Sequence, residues 1–317
     1  MSSDSIAAIL FGAAIGDALG WPVEFTSLED IKAQYGPAGI EDLPDPALIT
    51  DDTQMTIALA NGLLDAGVSA DLDTRMQAVG RRFAEWRRLQ DDPQYSRAPG
   101  TASMAGSARF AAGASWYESG GLDSKGCGAA MRVAPIGYLY QWDPEQLDAV
   151  ARSTAMITHR HPTAIASAVG AAAAVRFALD GVQVTDLVRA VYEATLGISD
   201  EFSDTLLKVG HVGGWVDEEA AMRHIGAGWV GDQAVALALY CVMRYPDDYV
   251  GCIRRGANLT GDSDSVASIA GGISAARLGM EAIPAEWRDR IEWRDQLLDL
   301  ARRLGDARLT LETNSLH

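Results

Sequence analysis

The segment that most restricts what this chain can fold into is 261–279. It opens as Gly261-Asp262-Ser263-Asp264-Ser265 and runs on through 266–279 with mostly Ala, Gly, Ser and Ile. A helix so poor in side-chain bulk can bring its backbone close to a neighbour, so the run reads as a long, tightly packed helix. Two carboxylates stand at its head. A partner of the same kind is expected over 5–19, with Asp4 or Ser5 as its cap. Gly12 and Gly16 lie four apart there, on one face. Asp17, an acid inside that apolar helix, is expected to cap a neighbouring helix.

The remaining chain carries the same period. Helices are expected over 27–35, 50–66, 71–89, 101–114, 129–140, 144–157, 163–180, 185–196, 200–209, 218–225, 232–243, 247–257 and 287–303. Sustained period-two alternation is missing, and Val/Ile/Thr-rich runs bounded by turns are almost absent. No compositional break suggests a linker and no internal repeat is visible. The sequence therefore predicts an all-α fold: a single compact multi-helix domain over 1–317.

Charge narrows the partners. The net charge of −17 is a poor footprint for gripping nucleic acid or an anionic membrane. Neither sequence-specific nucleic-acid binding nor membrane association is expected. The three cysteines, Cys127, Cys241 and Cys252, include no C-x-x-C pair, which fits a reducing compartment. No basic flank precedes the first apolar residues, so no secretory leader is expected and the location is predicted to be cytoplasmic. The apolar stretch 163–179 is interrupted by Arg176 and reads as a buried helix rather than a membrane span.

Four constellations carry chemistry. The first is the pair of acidic knots, Thr50-Asp51-Asp52-Thr53 and Asp262-Ser263-Asp264-Ser265, each opening a helix. N-capping explains one acid at each place. It does not explain two together at both. Four carboxylates with nearby hydroxyls form the ligand set of a hard cation such as Mg²⁺, Mn²⁺ or Ca²⁺. From spacing alone, capping and metal binding stand level. The second is Ser124-Lys125-Gly126-Cys127-Gly128, whose glycines let successive N–H groups converge on an anion, or else form an ordinary loop. Cys127, near Lys125 and a helix start, is a candidate nucleophile with no base partner to name. The third is His159-Arg160-His161: a zinc pair lacking a third ligand, or one histidine that contacts a ligand and one that is structural. The fourth is Trp229 in the turn 226–229, placed either to stack on a ring or to pack in the core.

In this order the motifs resemble the ADP-ribosylglycohydrolase family. The matching stretches are Gly16-Asp17-Ala18-Leu19-Gly20 with Glu24 four beyond, Ile49-Thr50-Asp51-Asp52-Thr53-Gln54-Met55, Gly126-Cys127-Gly128-Ala129-Ala130-Met131-Arg132, Ile157-Thr158-His159 and Gly261-Asp262-Ser263-Asp264-Ser265. The resemblance implies an all-helical fold and two divalent cations, Mg²⁺ or Mn²⁺, at the base of a cleft. It implies Thr50, Asp51 and Asp52 as ligands from one side and Asp262, Asp264 and Ser265 from the other. It further implies that Ser124, Gly126, Cys127 and Gly128 cradle ADP-ribose, that His159 contacts its phosphates and that Trp229 stacks on its adenine. Glu24, Asp52 and Asp262 form the implied catalytic set.

The chain departs from the family pattern at Ser265, where threonine is usual, at Cys127, where an asparagine stands, and at Ser124, where an aspartate stands; Asp123 is adjacent to the last. The implied activity is metal-dependent hydrolysis of the bond between the distal ribose of ADP-ribose and an acceptor, with a protein side chain such as arginine foremost. The implied partners are an ADP-ribosylated protein or other acceptor and the ADP-ribose product, and the enzyme is expected to be a monomer. The competing reading is a catalytically silent ADP-ribose-binding, immunity or structural protein of the same fold. A helical scaffold that binds calcium is a third.

Overall fold

Two small-residue helices meet at the centre of the protein with their backbones in contact. The structure, a computed structural model, describes residues 3–314. In chain order the helices are α1 Ser3–Gly20, α2 Leu28–Tyr35, α3 Asp51–Ala66, α4 Leu72–Leu89, α5 Thr101–Ala111 and α6 Ala134–Leu139. Then come α7 Pro144–Met156, α8 Pro162–Leu179, α9 Val184–Thr195, α10 Asp200–Val212 and α11 Glu218–Ile225. The series ends with α12 Gly231–Arg244, α13 Tyr249–Ala257, α14 Ser263–Leu278, α15 Ala285–Arg290 and α16 Arg294–Asn314. Among the described residues there is no β-strand, only isolated bridges such as Gly121 with His159 and Gly126 with Val230. The fold is all-α, organised around one hydrophobic core.

Helices α1 and α14 run antiparallel, and the small residues at every fourth position explain how closely. A Cβ placed on Gly16 would lie 2.1 Å from the Ala267 carbonyl oxygen, and one on Gly20 would lie 2.4 Å from the Cα of Asp264. Around this pair pack α13, α12 and α8 on the α14 side and α16 and α3 on the α1 side. The windows Asp4–Val23 and Pro162–Leu179 are long and apolar enough to cross a membrane, yet 89% and 72% of them are buried inside the protein. Both are core helices.

The helices expected over 101–114 and 247–257 are shorter, at Thr101–Ala111 and Tyr249–Ala257, and three further differences have a clear physical reason. The single helix expected over 287–303 is broken at 291–293. There the Glu292 N–H bonds the Ala47 carbonyl (3.0 Å) and the Glu292 carboxylate takes the Ile49 N–H (3.0 Å) and pairs with buried Arg97. Trp293, with φ 58°, turns the chain into α16. The helix expected over 129–140 starts only at Ala134. Pro135 sits in its first turn, where its missing N–H costs nothing, and the preceding residues 127–129 form a short 3₁₀ turn. Helix α10 passes through Gly210 to Val212, because one glycine is tolerated within a helix. Asp4 and Ser5 are not caps, since α1 already includes Ser3.

These contacts predict opposite effects for two glycines. Gly16→Ala forces a methyl into the α14 backbone and is expected to destabilise by about 3 kcal/mol. Gly210→Ala has nothing within 4 Å of its new methyl group and should stabilise α10 by up to about 1 kcal/mol. Urea denaturation of both variants checks the pair. Equal stability of Gly16→Ala and the unaltered protein would remove the backbone contact as an explanation of the fold.

A candidate metal centre in a helical cleft

The N-terminus of α14 and the N-terminus of α3 face each other, and Asp17 of α1 joins them. Asp17 is fully buried. Its carboxylate accepts from the Thr50 N–H (3.0 Å) and hydroxyl (2.8 Å) and from the Thr53 N–H (3.1 Å) and hydroxyl (2.5 Å). It therefore caps α3 from outside, as expected of an acid in an apolar helix. The chain leading into α3 is braced separately by the Arg97–Glu292 pair described above, since Arg97 also donates to the Ile49 carbonyl.

With α3 and α14 fixed this way, both knots point into one cleft of about 320 Å³. Its lining includes Glu24, Asp51, Asp52, Asp262, Asp264 and Ser265. The Ser265 hydroxyl donates to Asp52 Oδ1 (3.2 Å), and its backbone N–H reaches Asp264 Oδ1 (2.9 Å) and Asp262 Oδ1 (3.3 Å). The Thr50 hydroxyl lies 3.5 Å from Asp264 Oδ2. Asp51 Oδ2 accepts the Gly100 N–H (3.0 Å). Glu24 follows the short 3₁₀ turn Trp21–Val23. One carboxylate oxygen each from Glu24, Asp262 and Asp264 lies within 4.8 Å of the others, a grouping able to hold a metal ion. The two sequence-distant knots and Glu24 thus form one cluster.

The electrostatics of the cluster test whether a cation fits. Burial, followed by repulsion from Asp262, Asp51 and Asp17, pushes the Glu24 carboxyl up to about 9. Burial raises Asp51 to about 7 and Asp17 to about 6, and it drives Asp52 and Asp264 well above the ordinary carboxylate range, with neighbouring acids adding to both. Asp262 is raised by burial as well. Asp52 Oδ2 is buried without a hydrogen-bond partner among the described residues. Among the described residues, no lysine or arginine lines the cleft. Buried carboxylates without a basic partner are the donor set of a hard divalent cation, and an orphaned carboxylate oxygen is a ready ligand. The residues present fit such an ion.

The walls are bound to the same loops. The Asp262 N–H donates to the Ala227 carbonyl (2.9 Å), so the turn carrying Trp229 is tied to the acidic loop that opens α14. Gly261 permits this contact: its φ is 148°, and a Cβ there would sit 1.9 Å from the Ala227 oxygen. The Gly231 N–H bonds the Lys125 carbonyl (2.9 Å), which ties in the glycine loop. Trp229, 40% exposed, stacks on Phe25 with ring centroids 5.0 Å apart. Gly126, Cys127, Gly128 and His159 line the cleft; Ser124 does not, and its N–H closes a turn onto the Gly121 carbonyl (3.3 Å).

Cys127 donates its thiol to Asp262 Oδ2 (2.7 Å), and Lys125 pairs with Glu201 (2.5 Å) instead of approaching the sulfur. Burial and the charges of Asp262 and Asp52 push the thiol well above its ordinary value, which opposes a thiolate nucleophile. His161 Nδ1 accepts the Thr163 N–H (3.2 Å) and caps α8, leaving His159 as the cleft histidine. Sequence reasoning passed over Phe25, Met131 and the segment 98–103. That segment includes Ser103, whose buried hydroxyl has no partner among the described residues. The one signal for it was Gly100 standing just before a helix start.

Comparison with known proteins identifies relatives of this fold. The profile described as ADP-ribosylglycohydrolase matches residues 2–313. The chain is similar to the Mus musculus protein named ADP-ribosylhydrolase ARH3, with 27% identity over 328 residues that cover 89% of this chain and 86% of that one. It is similar to the Serratia proteamaculans (strain 568) protein named ADP-ribosylarginine hydrolase Tri1, with 26% identity over 307 residues, 96% of this chain and 79% of that one. A solved structure described as an ADP-ribosylglycohydrolase-related protein complex superposes with a TM-score of 0.72 at 25% identity, covering 96% of this chain and 98% of that one.

The raised carboxyls set a pH dependence. Between the ordinary carboxylate value near 4 and its raised folded value, such a group holds more protons folded than unfolded. Stability of the metal-free protein therefore falls as pH rises through the window from about 4 to about 9. Chelator-treated protein should melt higher at about pH 5.5 than at about pH 8. Saturating Mg²⁺ or Mn²⁺ should raise Tm at about pH 8 by roughly 5 °C, and by less at about pH 5.5. Scanning calorimetry reads both. A Tm indifferent to either ion at pH 8 would count against the site.

Proposed function

This chain belongs to the ADP-ribosylglycohydrolase family, and from that premise we propose that it is a metal-dependent hydrolase that releases ADP-ribose from an ADP-ribosylated acceptor. One observation carries the reading: Glu24, Asp51, Asp52, Asp262 and Asp264 converge in one cleft that, among the described residues, no lysine or arginine lines. In the proposal two divalent ions, Mg²⁺ or Mn²⁺, are held by Thr50, Asp51 and Asp52 on the α3 side and by Asp262, Asp264 and Ser265 on the α14 side. When bound, they supply positive charge that orients a vicinal diol and acidifies a bound water. The acceptor is a protein side chain, with arginine foremost, consistent with the Serratia relative's name as an ADP-ribosylarginine hydrolase. The enzyme works as a cytoplasmic monomer.

The chain's own groups then have distinct tasks. The distal ribose sits on the acidic floor, oriented by Asp52 and Asp262, which face each other through Ser265. The glycine loop at Gly126 and Gly128 takes the diphosphate, and Gly128 lets that loop pack against Ser103 Oγ and the His159 ring, which a side chain there would meet. Trp229 offers a ring face for the adenine at the cleft mouth. Glu24 carries the proton transfer. Burial and the neighbouring aspartates raise its carboxyl to about 9 when no cation is bound, and in the proposal it is the group that passes a proton to the departing acceptor atom. Cys127 contacts Asp262 and reaches the same floor, while Ser124 lies outside the lining, so acceptor choice falls to other residues at the rim.

Each assignment has a measurable consequence. Asp262→Asn and Asp52→Asn should each lower kcat/KM by on the order of 10²–10³ with an unchanged helical CD spectrum. Glu24→Gln should lower kcat more than it weakens ADP-ribose binding. Trp229→Ala should weaken ADP-ribose affinity by about 1–3 kcal/mol in calorimetry. Assaying arginine-, serine- and nucleobase-linked ADP-ribose with and without Mg²⁺ defines the acceptor. Metal and ADP-ribose binding without turnover of any of them would favour a catalytically silent binding protein. Undiminished turnover in the presence of chelator would refute the metal assignment.

A further inference from the structure

Behind the cleft, the fully buried Arg132 addresses His159 through Thr158. Arg132 comes from the segment between the 3₁₀ turn and α6. Its guanidinium stacks over the Phe83 ring (4.5 Å) and donates to the Thr154 carbonyl (3.0 Å) and to the Thr158 hydroxyl oxygen (2.7 Å). That hydroxyl in turn lies 2.7 Å from His159 Nδ1. Nothing assigned so far to the cleft explains why a charged side chain is buried here at a cost in solvation.

The direction of the chain follows from counting donors. Arginine has no acceptor, so the Thr158 oxygen must accept from it. The hydroxyl proton then has two destinations, His159 Nδ1 at 2.7 Å or the Ala155 carbonyl at 3.5 Å. The Ala155 oxygen already accepts the N–H groups of Thr158 (3.0 Å) and His159 (2.7 Å), which occupy both lone pairs. The proton therefore goes to Nδ1. A neutral imidazole that accepts at Nδ1 carries its own proton on Nε2.

Nε2 lies on the cleft side. A Cβ on Gly126 would be 3.7 Å from it and a Cβ on Gly128 would be 3.4 Å from it. Burial, with the nearby Arg132 charge, lowers the imidazole to about 3, so the ring is neutral across the physiological range. We propose that Arg132 and Thr158 are positioning residues that lock His159 as an Nε2–H hydrogen-bond donor to the phosphate-bearing part of the ligand. This rests on the reading of the cleft as an ADP-ribose site. It assigns the buried arginine of the Gly126–Arg132 motif to setting a tautomer. It also makes the His159 contact a directed neutral hydrogen bond and not an ion pair.

The test uses the full chain, with Thr158→Val to remove the hydroxyl at constant shape and Thr158→Ser to restore it. Two-bond ¹H–¹⁵N correlation spectra of the histidines, with His159→Gln for assignment, read the tautomer directly and without any ligand. The expected result is a protonated Nε2 and an unprotonated Nδ1, unchanged down to about pH 5. Calorimetry with ADP-ribose should show Kd raised about tenfold in Thr158→Val and restored in Thr158→Ser. Divalent-metal affinity should be equal in all three. A protonated Nδ1 in the unaltered protein overturns the proposal even if Thr158→Val fails to fold. A folded Thr158→Val with unaltered ADP-ribose affinity does so as well. An unaltered protein with the expected tautomer but no affinity for ADP-ribose refutes the reading of the cleft and leaves the relay in place.

Discussion

The backbone contact between α1 and α14 is the constraint on which the rest depends. Gly16 and Gly20 let the two helices approach until main-chain atoms of one touch main-chain atoms of the other. The approach is antiparallel, so the end of α1 lies beside the start of α14. Asp17 and Asp264 are brought into the same neighbourhood without either being in a loop of its own. Asp17 then reaches across to Thr50 and Thr53 and fixes the start of α3. Two acidic knots about two hundred residues apart are thereby set opposite each other by one interhelical distance. A protein interior packed at crystal-like density transmits such a distance faithfully.

That arrangement stores electrostatic tension. Five buried aspartates and Glu24 share one region, and each has its carboxyl raised, first by burial and, for most of them, also by its neighbours. Hydrogen bonds from Ser265, Gly100 and the Cys127 thiol relieve part of it. The orphaned Asp52 Oδ2 shows that they do not relieve all of it. The orphaned oxygen lies on the cleft floor, whereas the acid with a purely structural task, Asp17, is surrounded by four donors. The same loops carry the walls: Ala227 holds Asp262, and Lys125 holds Gly231. A change at the acidic floor is therefore felt by the turn that presents Trp229.

Much of this was legible in the sequence, and the gaps have physical causes. The all-α class followed from helical periodicity and the lack of alternation. The two knots and the glycine loop were visible as local excesses of acid and of glycine. Asp17 was readable because an acid in an apolar helix must find donors. The break at Glu292 was not readable, because it is made by Ala47, Ile49 and Arg97, which are far away in sequence. Phe25 and Ser103 escaped for the same reason: an aromatic and a serine have no local signature, and only the closed fold brings them to the cleft. The placement of Ser124 outside the lining depends on the turn at Gly121, which spacing could not fix. Conversely, Arg132 stood out in a motif, but its partner Thr158 became meaningful only when the two side chains met.

The account turns on whether cations occupy the acidic floor. The most direct measurement is an anomalous difference map from crystals grown with Mn²⁺ and ADP-ribose. The account predicts two peaks in the cleft, within about 2.0–2.4 Å of oxygens from Asp52, Asp262 and Asp264, against the distal ribose. Clear ADP-ribose density with no anomalous peak at these carboxylates, or peaks confined to the protein surface, would contradict it.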